Sequence, residues 1–179
     1  PRSTLDRSSA ALDVYKRQGY IGNLNPVTGE VKKWDLSPRK PEDLTVDSFG
    51  NIWFTIPDYD EIGKLNPYSG ELTIYKVPTS GSRPYSIIVD AQGYVWFTEY
   101  GQNRIGRFSP DDLTFTEFAR TASGAPWGIA ISSDNKVWFT DYAVNKICRF
   151  DPSLILTTIT TTSISTASKT TTTLIPPLI

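Results

Sequence analysis

The 179-residue chain has no histidine, no methionine and a single cysteine, Cys148. Without histidine, the commonest general acid–base and metal ligand is missing from any mechanism run by the chain's own residues. One cysteine rules out an intrachain disulfide and zinc-finger ligand sets. For Cys148 the expected role is that of a small packed apolar group rather than a reactive thiol. No run of about 18 apolar residues occurs, so no membrane-crossing helix is expected. An excess of one charge sign is lacking too: 18 Lys and Arg stand against 19 Asp and Glu, a net −1. There is no basic stripe for nucleic acid. The missing methionine makes the sequence read as a processed or partial chain.

What is present is repetition. The strings IWFT, VWFT and VWFT place tryptophans at positions 53, 96 and 138. A second block, I-G/C-x-F/L-x-P, starts at 21, 62, 105 and 147, and a proline precedes an apolar run at 41, 84 and 126. All three landmarks share a spacing of 41 to 43 residues, read from those positions. Periods of about 40–45 belong to propeller blades or helical arrays. Within each repeat the apolar residues alternate in short runs broken by Gly, Asn, Asp and Pro, with no 3.6-residue period, so strands are predicted. Four strands per repeat make a propeller blade.

Numbered from the channel outward, first strands are expected at 42–47, 84–90 and 126–132, and second strands at 51–57, 94–99 and 136–141. Third strands are expected at 20–25, 61–67, 104–109 and 146–151, and fourth strands at 30–36, 70–77 and 113–119. The first strands read as continuous apolar runs and are expected to be buried on both faces. The Trp and Phe of the second strand should pack between blades. Gly22, Gly63 and Gly106 should make room for an aromatic neighbour, with Cys148 in the same slot. Glu117 and the lysines at 32 and 33 are expected to protect outer edges.

Residues 1–18 match no part of the repeat and read as a non-native or disordered leader. Residues 19–152 hold the blades, extending to about 160 if a last fourth strand forms. Residues 153–179 are dominated by Thr and Ser and read as a linker or stalk. Such a stalk points to an extracellular or cell-surface location. The expected fold is therefore all-β, a partial propeller of about three and a half blades, with further blades required for closure.

The segments PYSIIVDAQGYVWFTEYGQNRIGRFSP at 84–110 and PWGIAISSDNKVWFTDYAVNKICRFDP at 126–152 resemble the streptogramin B lyase (virginiamycin B lyase) family, with a looser copy at 40–67. The resemblance covers about residues 19–152, and NHL-repeat and gluconolactonase-type propellers are similar in architecture. It implies a seven-bladed ring. It also implies a lyase that opens a cyclic depsipeptide ester by elimination, with Mg²⁺ and a catalytic histidine. That histidine carries over to no position here, so no catalytic residue is assigned.

Propeller geometry places the connections entering the first strands, and the loops between second and third strands, on one face. The ligand-rim candidates there are Arg83, Tyr85, Glu99, Tyr100, Asn103, Trp127, Asp141 and Tyr142. Glu99, Asp141 and Asp58 are candidate hard-oxygen ligands for a divalent cation. The alternative for Glu99 and Asp141 is strand-end acids, solvated or paired with Arg104 and Lys146. Asn103 reads equally as a turn residue. Two functions stay open. One is a surface module binding a small molecule, peptide or glycan. The other is a metal-dependent lyase or hydrolase of a cyclic ester or lactone whose base lies outside this chain.

Overall fold

The computed structural model describes residues 19–119, 124–152 and the backbone of 160–164 and 167–169. The leader 1–18 and most of the Thr/Ser segment lie outside the described residues. Thirteen strands follow the expected order. β1 (Tyr20–Leu24) and β2 (Val31–Asp35) form a two-stranded sheet. β3 (Leu44–Val46), β4 (Ile52–Ile56), β5 (Glu61–Leu65) and β6 (Leu72–Lys76) form a complete four-stranded antiparallel sheet. β7 (Pro84–Val89), β8 (Val95–Glu99), β9 (Arg104–Ser109) and β10 (Thr114–Ala119) form the next. β11 (Pro126–Ile131), β12 (Val137–Asp141) and β13 (Lys146–Phe150) form a three-stranded sheet. The backbone of β14 (Thr160–Ile164) pairs with β10 and that of β15 (Ala167–Lys169) with β14.

The repeat sets the packing. Each gap between blades holds its own apolar cluster. Ile21, Leu36, Ile52, Phe54 and Leu65 fill the first. Trp53, Ile62, Val77, Phe97, Phe108 and Phe115 fill the second. Trp96, Ile105, Phe118, Phe139 and Phe150 fill the third. Trp53 stacks on Tyr75 of its own blade at 5.8 Å and meets Phe108 of the next at 5.9 Å. One repeat later, Trp96 stacks on Phe118 at 5.6 Å and meets Phe150 at 6.2 Å. A Cβ at Gly63 or Gly106 would lie 2.2 Å from the ring of Phe54 or Phe97, so only a bare Cα lets that ring cross the strand. Cys148 pairs with Phe139 in the same slot and is half-buried.

The first strands depart from expectation. β4 and β8 are buried along their whole length, whereas β3 and β11 are only partly covered. β4 and β8 are sandwiched by blades on both sides, while β3 and β11 are not covered along their whole length. Glu117 departs as well. It is 6% exposed, and accepts hydrogen bonds from the Thr79 hydroxyl at 2.8 Å and Arg104 Nη1 at 3.3 Å. It clamps two blades together rather than guarding an edge.

Two links were not foreseen from sequence. Asp47 Oδ2 accepts from Trp53 Nε1 at 3.0 Å, and Asp90 Oδ2 from Trp96 Nε1 at 2.7 Å, tying each hairpin turn to its tryptophan. The threonines of the first two WFT strings also reach across a gap. Thr55 Oγ1 donates to Tyr85 O at 2.8 Å, and Thr98 Oγ1 to Trp127 O at 2.9 Å. The aspartate six residues before each tryptophan was the available signal for the first link.

Candidate functional site

Two 3₁₀ turns follow the second strands, Pro57–Tyr59 and Tyr100–Gln102, capped by Asp60 and Asn103 in the left-handed conformation (φ 52° and 53°). Asn103 is thus a turn residue, as Asn145 is one repeat later (φ 53°); short polar side chains tolerate this region best. The turns stand beside the segments entering β3, β7 and β11. Between them lies a cleft of about 380 Å³ lined by Lys40, Glu42, Pro57, Asp58, Arg83, Tyr85, Tyr100 and Trp127.

Aromatic rings build one wall. Tyr85 and Trp127 have centroids 3.8 Å apart at 39°, Tyr100 meets Trp127 edge-on at 5.4 Å, and Tyr142 lies 5.7 Å from Trp127. Trp127 is 37% exposed and Tyr142 69%. The Tyr85 hydroxyl is pushed up to about 12, first by burial, then by its hydrogen bond to Glu42 and the charges of Glu42 and Asp43. It stays a neutral donor throughout the physiological range.

Lys40 and Arg83 add cationic side chains to the lining, alongside the carboxylates of Glu42 and Asp58. Arg83 is exposed with φ 47°, a region costly for a residue with a Cβ. Its amide donates to Asp60 Oδ1 at 3.0 Å, and the Gly81 amide to Asp60 Oδ2 at 2.8 Å. Burial raises the Asp60 pKa, but the Arg83 and Gly81 amides and the Lys76 charge outweigh it, and the group sits below its ordinary value. Gly101 completes the clamp, because its Cβ would lie 2.1 Å from Gly81 O. Gly101→Ala is therefore expected to displace the 81–83 loop and lower the melting temperature by several degrees. An unchanged melt with unchanged amide exchange at 81–83 would show the loop is not held this way.

Of the eight rim candidates, Arg83, Tyr85, Tyr100 and Trp127 come together in the cleft, and Tyr142 continues the aromatic row. Glu99 and Asp141 do not face it. They are 0% and 1% exposed, so neither is a solvated strand-end acid. Asp141 Oδ1 accepts from the Ala125 amide at 2.9 Å. Arg104, the expected partner of Glu99, turns to Glu117 and Thr79. Glu99 is held well above the usual carboxylate range, by burial first and then by the charge of Glu117, against the opposing charge of Arg104. Asp58 is exposed at the cleft. Among the described residues no three acidic, histidine or cysteine side chains converge as a metal ion would require. Glu42 lines the cleft from the connection entering β3, the position expected to bring it to this face, while Lys40 and Pro57 line it without having been picked out; position in that same connection was the signal for Lys40.

The fold and this mouth define a β-propeller segment with a ligand-sized cleft on the face where its inner strands begin. The chain belongs to the virginiamycin B lyase family, whose model matches residues 11–173. A catalytically inactive virginiamycin B lyase variant from Staphylococcus aureus, solved with quinupristin, is similar at 30% identity. Its TM-score is 0.72, over 84% of this chain and 51% of that one. A streptogramin B lyase structure is similar at 30% identity with a TM-score of 0.68, over 74% of this chain and 44% of that one. A propeller assigned as a gluconolactonase shares the fold at 15% identity with a TM-score of 0.62, over 75% of this chain and 52% of that one. The chain thus spans about half the length of the lyases it matches. No protein of curated function matches it. Among the described residues no helix is long and apolar enough to cross a membrane.

Proposed function

We propose that the cleft is a recognition site for a small molecule or peptide carrying a flat ring, and that the protein acts as a surface binding module. The stacked Tyr85–Trp127 pair carries this reading, since partly exposed aromatic rings beside charged side chains favour ring-bearing ligands. Arg83 and Lys40 supply donors for carbonyl or carboxylate oxygens in the same cleft. The Thr/Ser-rich segment 153–179 supports a cell-surface location.

Family membership favours a second reading, a lyase acting on a cyclic depsipeptide ester. Under it, this chain's residues bind and orient the ring while the proton-transferring base comes from outside the chain, which has no histidine. Quinupristin, the ligand of the similar lyase structure, separates the two. Titrated into the full chain, it is expected to quench tryptophan fluorescence saturably. Trp127→Ala or Tyr85→Ala should weaken binding at least about tenfold, the loss of one stacked contact. Ring opening of quinupristin by the chain when imidazole is supplied as the external base, lost in Trp127→Ala and seen by mass, would move the assignment to the lyase. Absence of any saturable change would reject the cleft as a site for this ligand class.

A further inference from the structure

We propose that β6 pairs edge to edge with β6 of a second copy of this chain, joining two blades into one antiparallel sheet across a two-fold axis. β6 is the outermost strand of a complete blade, and among the described residues no strand lies beyond it. The bonds at its two ends fix which of its backbone groups are unpaired. Val77 N donates to Asp60 O at 2.9 Å and Asn66 N to Glu71 O at 2.9 Å, at either end of the β5–β6 register. Alternation along an antiparallel pair then turns the amides and carbonyls of Thr73 and Tyr75 inward to β5. Those of Leu72, Ile74 and Lys76 point outward and meet no strand among the described residues.

The fourth strands of the neighbouring blades show how such an edge is guarded or filled. In β2 the register position of Ile74 is held by Lys33, with Lys32 beside it, and charge in mid-strand disfavours an added strand. In β10 the position of Leu72 is held by Phe115, which pairs with Thr161 of β14. An outer edge of this repeat therefore does take a further antiparallel strand. β6 has neither device. From Leu72 to Tyr75 it is uncharged and suited to a sheet, and Leu72 is 41% exposed. Lys76 turns back to Tyr59 O and to Asp60 Oδ2, 3.7 Å away, in its own blade.

A second β6 fits these groups. With the two-fold axis at Ile74, the pairs are Ile74 with Ile74, Leu72 with Lys76 and Thr73 with Tyr75. Every outward-bonding residue then faces another, and the outward groups of both strands are satisfied. Thr73 against Tyr75 is a favourable β-branched–aromatic pair. Antiparallel pairing also brings the Glu71 end of one strand to the Lys76 end of the other, so opposite charges adjoin at both ends. A five-residue edge is smaller than the interface of a permanent dimer, so the association is reversible.

Sedimentation of the full chain between about 1 μM and about 1 mM is expected to show a monomer–dimer equilibrium. The amides of Leu72, Ile74 and Lys76 should gain exchange protection in step with the dimer, while those of Thr73 and Tyr75, already bonded to β5, should change little. Leu72→Lys sets like charges opposite each other at Lys76 twice per dimer, and Leu72→Glu sets opposite ones. The dissociation constants of the two variants should differ at least about tenfold, with the glutamate variant the tighter. Both replace an exposed side chain and should melt within about 2 °C of the parent when dilute. A monomer at every concentration, or a dimer that leaves 72, 74 and 76 unprotected, would overturn the proposal. Equal weakening by lysine and glutamate would do the same, by placing the contact away from this register.

Discussion

Trp96→Ala is expected to cost about 3–5 kcal/mol, the range for deleting a buried tryptophan, whereas Trp138→Ala, the same substitution one repeat later, should cost far less. Trp96 is 2% exposed, stacked on Phe118, capped by Phe150 and hydrogen-bonded to Asp90. Its removal leaves a cavity between two blades and strands the Asp90 carboxylate. Trp138 is 39% exposed, its indole N–H donates to Ser132 Oγ at 3.3 Å and Arg149 of its own sheet lies over its ring at 5.9 Å. Chemical denaturation of the two variants measures the contrast directly. Equal costs would mean that the tryptophan acts within its own sheet, and the interblade account of the core would fail.

Glu99→Gln is expected to change how stability depends on pH. In the folded protein Glu99 sits between β9 and the neighbouring blade, and among the described residues no donor reaches either oxygen; it faces Glu117, Arg104 and Asp60. Its folded pKa lies well above the usual carboxylate range. A raised carboxyl pKa means the folded state keeps a proton that the unfolded chain releases. Stability from this group is full below the unfolded value. It falls by up to about 1.4 kcal/mol per pH unit as pH climbs from there to the raised folded value. Glutamine carries no titrating proton and can donate its amide to Glu117. The variant should therefore match the parent most nearly in acid and gain on it steadily toward neutral and alkaline pH. Parallel stability profiles between pH 4 and 8 would show that Glu99 ionises freely in the folded protein.

The two results bear on how the site is held. Asp60 fixes the Arg83 loop, while Glu117 receives Thr79 just before it and Arg104 just after the Tyr100–Gln102 turn. Both walls of the cleft thus rest on the gap between the second and third blades. Glu99 contributes to that buried network rather than to the rim.

Strand order, repeat length and the inward Trp and Phe were legible in the residues themselves. A 42-residue period with apolar alternation and turn residues between runs is a local signal, and local signals survive in a linear reading. Gly63 and Gly106 were legible for the same reason: a missing side chain inside a strand marks a close approach. The aromatic members of the rim were also within reach, because Tyr85 and Trp127 follow the prolines that open the inner strands.

What the linear reading missed depended on the direction of one side chain relative to another blade. Glu99 ends a second strand at a loop, which reads as solvent, yet it shares a face with Phe97 and so points into the gap, past Gly106 toward Glu117. Glu117 lies on an outer strand, which reads as an edge, yet Thr79 of the preceding blade closes over it. The WFT threonine looks like an ordinary strand residue until the next inner strand places a carbonyl 2.8 Å away. Alternation along a strand assigns a face, but only the packing of blade on blade decides whether that face meets water, an aromatic ring or a second carboxyl. In this protein the repeat determined the blades, and the gaps between them determined the charges.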